Sequence, residues 1–151
     1  MHVYLLKAMR VTPDIFRRLV AQNKCLDTPT GPDRFSPREV VAHLADWEPI
    51  IRGRMEAAVA NNGASVPTFD EGEMAVQNKY NEWDIERALS LYGTERGKTV
   101  SWLASLSKDA WTHFVVHPEQ GPLTVYDIAN IMVGHDMYHV DQLTSVCLSD
   151  G

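Results

Sequence analysis

Six residues, Phe35-Ser36-Pro37-Arg38-Glu39-Val40, constrain this chain more than any other stretch. Ser36 can accept a hydrogen bond from the backbone N–H of Glu39 while the Glu39 carboxylate reaches back to the N–H of Ser36. This reciprocal arrangement closes a helix start. Pro37 falls at the first helical position, where its missing N–H costs nothing. Phe35 and Val40 are spaced to pack against each other across the cap. Leu123-Thr124-Val125-Tyr126-Asp127-Ile128 repeats the pattern with Asp127 in place of glutamate. Thr12-Pro13-Asp14 predicts a further helix start, and Asn81-Glu82-Trp83-Asp84 a fourth.

Apolar residues recur at helical spacing behind each start. Ile15, Phe16, Leu19 and Val20 follow the first. Val40, Leu44, Trp47, Ile50, Ile51 and Met55 follow the second. The third set is Ile85, Ala88, Leu89, Tyr92, Val100 and Leu103, and the fourth is Ile128, Ile131, Met132, Val140 and Leu143. The predicted spans are 12–24, 37–60, 82–106 and 125–147. Asn61-Asn62-Gly63 stops the second helix, and the long connection that follows permits a crossover, whereas a short loop would force antiparallel neighbours. The expectation is an all-α four-helix bundle, up-down-down-up, with the crossover between helices 2 and 3. Glu73 to Tyr80 can add a short helix within it, and Thr112 to His117 a short extended piece before Pro118.

The 151 residues suffice for one domain over 1–151 with its own core, and 44% hydrophobic with 23% charged residues is ordinary for a globular chain. A net charge of -6 argues against a nucleic-acid partner, which would need clustered Lys and Arg. No apolar run approaches a membrane span. MHVYLLKAMR lacks the apolar centre and cleavage site of an export signal, so a cytoplasmic location is expected. Cys25 and Cys147 are then expected as free thiols.

His135 and His139, in GHDMYHVDQL, stand one helical turn apart on one face, so their imidazoles can converge on one ion. His43 lies on the apolar side of the second helix, three residues after Val40. A single buried histidine is ordinarily a hydrogen-bonded core residue. Three on inward faces of two helices match the way bundles build metal sites, and three nitrogens with open positions suit catalysis better than a closed structural site. Two hydrolase signatures fail. A zincin needs glutamate directly after the first histidine, where this chain has Asp136. An HD-type phosphohydrolase needs a distant downstream aspartate on another helix, and only fifteen residues follow Asp136.

The stretch from Phe35 through His43-Leu44-Ala45-Asp46-Trp47-Glu48, followed by His135-Asp136-Met137-Tyr138-His139-Val140-Asp141-Gln142-Leu143, resembles the DinB-like (DinB/YfiT) superfamily. Leu5-Leu6, Thr12-Pro13 and Gly121-Pro122-Leu123-Thr124 extend the resemblance over nearly the whole chain. Phe35 departs from it, standing where many relatives carry tryptophan. The resemblance implies an up-down-down-up bundle, commonly a homodimer. It implies a divalent metal, zinc or nickel, on His43, His135 and His139. It also implies activation at that metal of a low-molecular-weight thiol, such as bacillithiol or mycothiol, for attack on a small electrophile, or activation of water for hydrolysis. The alternative is a non-catalytic metal-binding dimer associated with stress.

Several neighbours have more than one reading. Asp46 and Glu48 can orient an imidazole or act as a base, or remain solvated helix-surface carboxylates. Gln142 can bond a ligand histidine or a bound water, or lie at the surface. Arg96 falls on the apolar line Tyr92, Arg96, Val100, Leu103 and needs a partner if it faces inward. It can pair with Glu48 or Asp46, offer its fork to an anionic substrate, or snorkel out of the stripe. Gly93 and Gly97 beside it suggest close approach of another backbone or of a partner subunit. Trp111, His113 and His117 can line a pocket mouth.

Overall fold

The structure, a computed structural model, describes residues 2–147. The Cys147 side chain lies outside the described residues, and Cys25 is a half-buried free thiol. Four long helices, α1 (Val3–Gln22), α2 (Pro37–Ala60), α4 (Ile85–Ser105) and α5 (Val125–Cys147), form the bundle. The crossover between α2 and α4 carries strand β1 (Ala64–Ser65), the short helix α3 (Glu71–Gln77) and a 3-10 turn (Tyr80–Glu82). Strands β2 (Phe114–His117) and β3 (Gly121–Thr124) lead into α5.

The α2 boundaries agree with the sequence because the cap is local. The Glu39 N–H meets Ser36 Oγ at 3.3 Å, and the Ser36 N–H meets Glu39 Oε2 at 2.8 Å. Thr124 and Asp127 close α5 in the same way, each backbone N–H reaching the other's side-chain oxygen at 3.0 Å. The third long helix begins at Ile85 rather than residue 82. Asp84 is its cap, accepting the Arg87 N–H at 2.8 Å, while the residues before it form the 3-10 turn. α3 begins two residues earlier than expected, because Asp70 caps it through the Glu73 N–H.

The first helix departs most from expectation. It starts at Val3, and Thr12-Pro13 lies in its interior. Thr12 Oγ1 donates back to the Ala8 carbonyl at 2.8 Å instead of capping. Pro13 has no N–H for the Met9 carbonyl one turn earlier. Arg96 Nη1 supplies that donor from α4 at 3.3 Å. Tertiary contact therefore offsets a cost that local propensity assigns to an interior proline.

Cross-helix contacts give the directions. Arg38 reaches the Trp83 carbonyl, Glu48 reaches Arg96 and Arg52 reaches Thr99, so α2 and α4 run parallel. Met9 meets Arg96 while Phe16 meets Tyr92, so α1 opposes α4. Val40 shares a core with Leu143 and Met55 with Ile128, so α5 opposes α2. The bundle is up-down-down-up, as expected. The extended piece expected near Thr112–His117 proves to be the middle strand of a small sheet ordered β1-β2-β3. β1 is parallel to β2, and β3 antiparallel to it in the register Val115 opposite Leu123. Val115 is fully buried and ties the sheet to the core.

That core has two parts. Met9, Met55, Val100, Leu103, Val115, Ile128 and Met132 fill one end; Phe16, Val40, Leu44, Leu89, Tyr92 and Leu143 fill the other. Burying each such side chain stabilises the fold by about 1.5–3 kcal/mol. Between them each of the four long helices carries buried polar residues, among them Thr12, Glu48, Arg96, Asp136 and His139. The candidate site occupies this layer.

Candidate metal centre

α2 and α5 bring three imidazoles together. His135 Nε2 stands 3.1 Å from His43 Nε2 and 3.1 Å from His139 Nε2, and one ring nitrogen of each lies within 4.8 Å of the others. Nitrogens held about 2.1 Å from one ion, at about 90–110° to each other, stand roughly 3.0–3.4 Å apart. Each short N···N contact needs a proton on one nitrogen or a cation between them, and the observed spacing suits the cation.

The protonated forms are disfavoured. Burial, then repulsion from His135 and His139, pushes His43 down to about 2. Burial, then His135, lowers His139 to about 4 against the opposing pull of its bond to Gln142. Burial also lowers His135, although Glu71, Asp136 and Glu48 favour its charged form. Neutral imidazoles are the form that binds metal.

Gln142 sets the tautomer of His139. The Phe35 carbonyl can only accept, so Gln142 Nε2 must donate to it at 3.3 Å, and the same nitrogen reaches Thr30 Oγ1. Gln142 Oε1 is thereby turned toward His139 Nδ1, 2.9 Å away. His139 donates from Nδ1, which leaves the Nε2 lone pair facing the cluster. Gln142 is thus buried and bonded to His139 rather than lying at the surface. His43 has no such support: its Nδ1 is buried without a hydrogen-bond partner among the described residues. Its ring is held instead by Phe35 and Trp47, both with centroids 5.4 Å away.

Beneath the histidines sits a buried ion cluster. Arg96, only 2% exposed, donates Nε and Nη2 to the two oxygens of Glu48 at 2.8 and 3.0 Å. Its Nη1 and Nη2 reach the two oxygens of Asp136 at 2.6 and 3.0 Å, and Nη1 also meets the Met9 carbonyl. A guanidinium has five N–H donors, and all five are engaged. Arg96 therefore faces inward, pairs with Glu48 rather than Asp46, and has no donor for an anionic substrate. Burial opposes its charge, but Tyr92, Asp136 and Glu48 outweigh that and hold it protonated. Two carboxylates around one guanidinium leave a formal charge of minus one beside His135.

Asp136 was missed as a site residue, being weighed only against hydrolase signatures. It is 2% exposed and also accepts from the Tyr92 hydroxyl at 3.1 Å. Its place on the line Met132, Asp136, His139, Leu143 was the available signal. Asp46 faces elsewhere. Its Oδ2 accepts from Tyr80 Oη at 2.7 Å and Asn78 Nδ2 at 2.8 Å, clamping the crossover to α2. Glu48 is committed to Arg96, so neither carboxylate is a free base. Tyr138 is half exposed, with its ring against His139 and the Arg34 guanidinium over it.

A groove of about 220 Å³ opens on His135 between α2, the crossover, the β2–β3 turn and α5. His117 lines it. Trp111 packs against the core and lines a separate cavity of about 390 Å³ with His2, Leu6 and Leu103, and His113 lies 3.4 Å from Asp109, so two of the three residues expected at a pocket mouth line cavities, but not the same one. A side chain at Gly93 would meet Pro13 at an ordinary 3.9 Å, and one at Gly97 would meet nothing within 4 Å. Neither glycine is required by a close approach within the chain. No described helix is long and apolar enough to cross a membrane.

Over 125 residues the chain is 30% identical to a protein of Oceanobacillus iheyensis named as a putative metal-dependent hydrolase, covering 83% of this chain and 72% of the relative. Its fold matches YfiT from Bacillus subtilis, described as a probable metal-dependent hydrolase with an unusual four-helix bundle topology. That match has a TM-score of 0.89 at 20% identity and covers 95% of this chain and 83% of YfiT. A mycothiol-dependent maleylpyruvate isomerase shares the fold at a TM-score of 0.75 and 12% identity. There 93% of this chain aligns, but it spans only 59% of the isomerase chain. The profile of the DinB superfamily matches residues 8–143, from within the first helix to four residues past His139 in the last, and the chain belongs to that superfamily.

Proposed function

We propose that the protein is a metal-dependent enzyme in which His43, His135 and His139 hold one divalent ion, zinc or nickel. We further propose that it activates a low-molecular-weight thiol for attack on a small electrophile. The observation that carries this reading is the convergence of three neutral imidazoles, with His135 Nε2 3.1 Å from the Nε2 atoms of His43 and His139, at a groove that His135 lines. A divalent ion on three neutral imidazoles keeps its charge, lowers the pKa of a thiol or water that joins it and supplies a nucleophile near neutral pH. The chain's own residues do the rest. Gln142 holds His139 in the tautomer that presents Nε2, and the Arg96 cluster places a net negative charge where it favours a cation. The aromatic wall of Phe35, Trp47 and Tyr80 around His43 keeps water from that side. Activation of water for hydrolysis is the second reading, favoured by the description of two similar proteins as metal-dependent hydrolases.

Metal analysis of untagged protein tests the ligand set. Wild type should carry close to one ion per chain, and His43→Ala and His139→Ala should carry far less after identical loading. Equal occupancy in all three would refute the ligand assignment. A transfer assay with bacillithiol, mycothiol, glutathione or coenzyme A and a generic electrophile should show turnover that a chelator abolishes. Chelator-sensitive ester or amide hydrolysis without thiol would select the second reading. Stoichiometric metal with neither activity would favour the non-catalytic alternative.

A further inference from the structure

Three residues that line the groove beside His135 carry a hydrogen-bond donor for which the described residues supply no acceptor: Trp47, whose Nε1 is buried, Arg54 and His117. Arg54, on α2, lines it and donates Nη2 to the Pro67 carbonyl at 3.1 Å, but its Nε is buried with no partner. Other arginines of this helix are matched: Arg38 pairs with Asp27 at 2.6 Å and Arg52 with Glu95 at 2.7 Å. Arg54 has no carboxylate partner among the described residues. His117, at the end of β2, is 4% exposed and lines the same groove. Its Nδ1 accepts the backbone N–H groups of Glu119 and Gln120, each at 3.3 Å. An Nδ1 that accepts places the proton of the neutral ring on Nε2. That Nε2–H has no protein acceptor among the described residues.

Buried donors left unpaired are uncommon in folded proteins unless a ligand or water meets them. Here the buried Arg54 Nε belongs to a cation, and His117, whose tautomer the β2–β3 turn holds, offers beside it an Nε2–H that is not itself among the buried unpaired atoms. Both lie in one groove that ends at the histidine cluster. Glu71 and Glu119 also line the groove, but they are exposed and neither bonds Arg54. What complements a guanidinium N–H and an imidazole N–H together is an oxyanion, and a planar carboxylate fits the guanidinium fork.

We infer that this groove is a subsite for a carboxylate group, held by Arg54 and His117 beside the three-histidine cluster. As a substrate subsite it rests on the reading of the cluster as a reaction centre; the anion binding itself does not. The test uses ¹⁵N-labelled, zinc-loaded full-length protein, with the Arg54 Nε–H signal assigned by its loss in Arg54→Lys. Succinate should shift that signal saturably, inorganic phosphate should bind more weakly, and neutral succinamide should leave it in place. A charge-assisted hydrogen bond contributes about a factor of ten or more in affinity, so calorimetry should show at least that loss for succinate in Arg54→Lys and a smaller loss in His117→Phe. His43→Ala, which disrupts the cluster but leaves Arg54 and His117 in place, should bind succinate as wild type does. No saturable shift with succinate in wild type would overturn the subsite. Equal response to succinamide, or tighter binding of phosphate, would overturn the carboxylate assignment. Loss of succinate binding in His43→Ala would show that the anion is held by the metal instead.

Discussion

Replacing Arg96 with methionine tests the account of the buried layer. The substitution keeps an unbranched side chain but removes the five donors that satisfy Glu48, Asp136 and the Met9 carbonyl. Two carboxylates, each 2% exposed, then face each other without a countercharge. Removing one partner of a buried ion cluster costs about 3–5 kcal/mol. For a domain near this size each kcal/mol lowers Tm by about 2–4 °C, so a fall of roughly 6–20 °C is expected. Urea unfolding of the chelator-treated protein, at several pH values, measures the cost. The loss should be largest near neutral pH. It should narrow as pH falls toward the carboxylate range, because uncompensated buried carboxylates take up protons more readily than those of the unfolded chain. A triple replacement, Arg96→Met with Glu48→Leu and Asp136→Leu, should recover much of the loss, since an apolar set leaves no charge unpaired. A cost for Arg96→Met below about 1 kcal/mol would refute the argument, because it lies in the range of exposed ion pairs.

Three further outcomes follow from the same geometry. Gln142→Leu removes the acceptor of the His139 Nδ1 proton, and metal affinity by competition with a chromogenic chelator should weaken about 10–100-fold; unchanged affinity would mean that Gln142 does not orient the ligand. The metal-free protein should lose stability as pH falls from the ordinary histidine value, 6.5, through the lowered value of His139 at about 4 and on toward that of His43 at about 2. In that window the unfolded chain binds protons that the folded site refuses, so stability rises with pH by up to about 1.4 kcal/mol per pH unit for each such histidine; a flat denaturation midpoint from pH 6.5 to 4.5 would contradict the neutral cluster. Ser36→Ala should cost about 1 kcal/mol in urea unfolding, since it removes one arm of a reciprocal cap at the start of the helix that carries His43.

What the sequence determined alone are the features set within a few residues. The cap at Ser36–Glu39, its counterpart at Thr124–Asp127, the α2 boundaries and the one-turn spacing of His135 and His139 all follow from short-range hydrogen bonding and the helical period. Their placement on inward faces was legible too, because apolar stripes mark which side of a helix is buried. The start of α1 was misread for an instructive reason. Thr12-Pro13 has the local chemistry of a helix start, and inside the helix the Met9 carbonyl that Pro13 leaves without a donor is met by one 87 residues from Met9, Arg96 on α4. The same limit hid the partners of Arg96. That it needed one was readable from its place in an apolar stripe; that Asp136, 40 residues on, would share it with Glu48 was not. Gln142 bonds Thr30 across 112 residues, and that distant contact turns its carbonyl toward His139. Register between helices is set by how side chains of separate segments fill common space, and a single sequence encodes no local signal for it. Only the folded bundle could decide which polar groups meet, and which, like the donors of Arg54 and His117, are left without a partner.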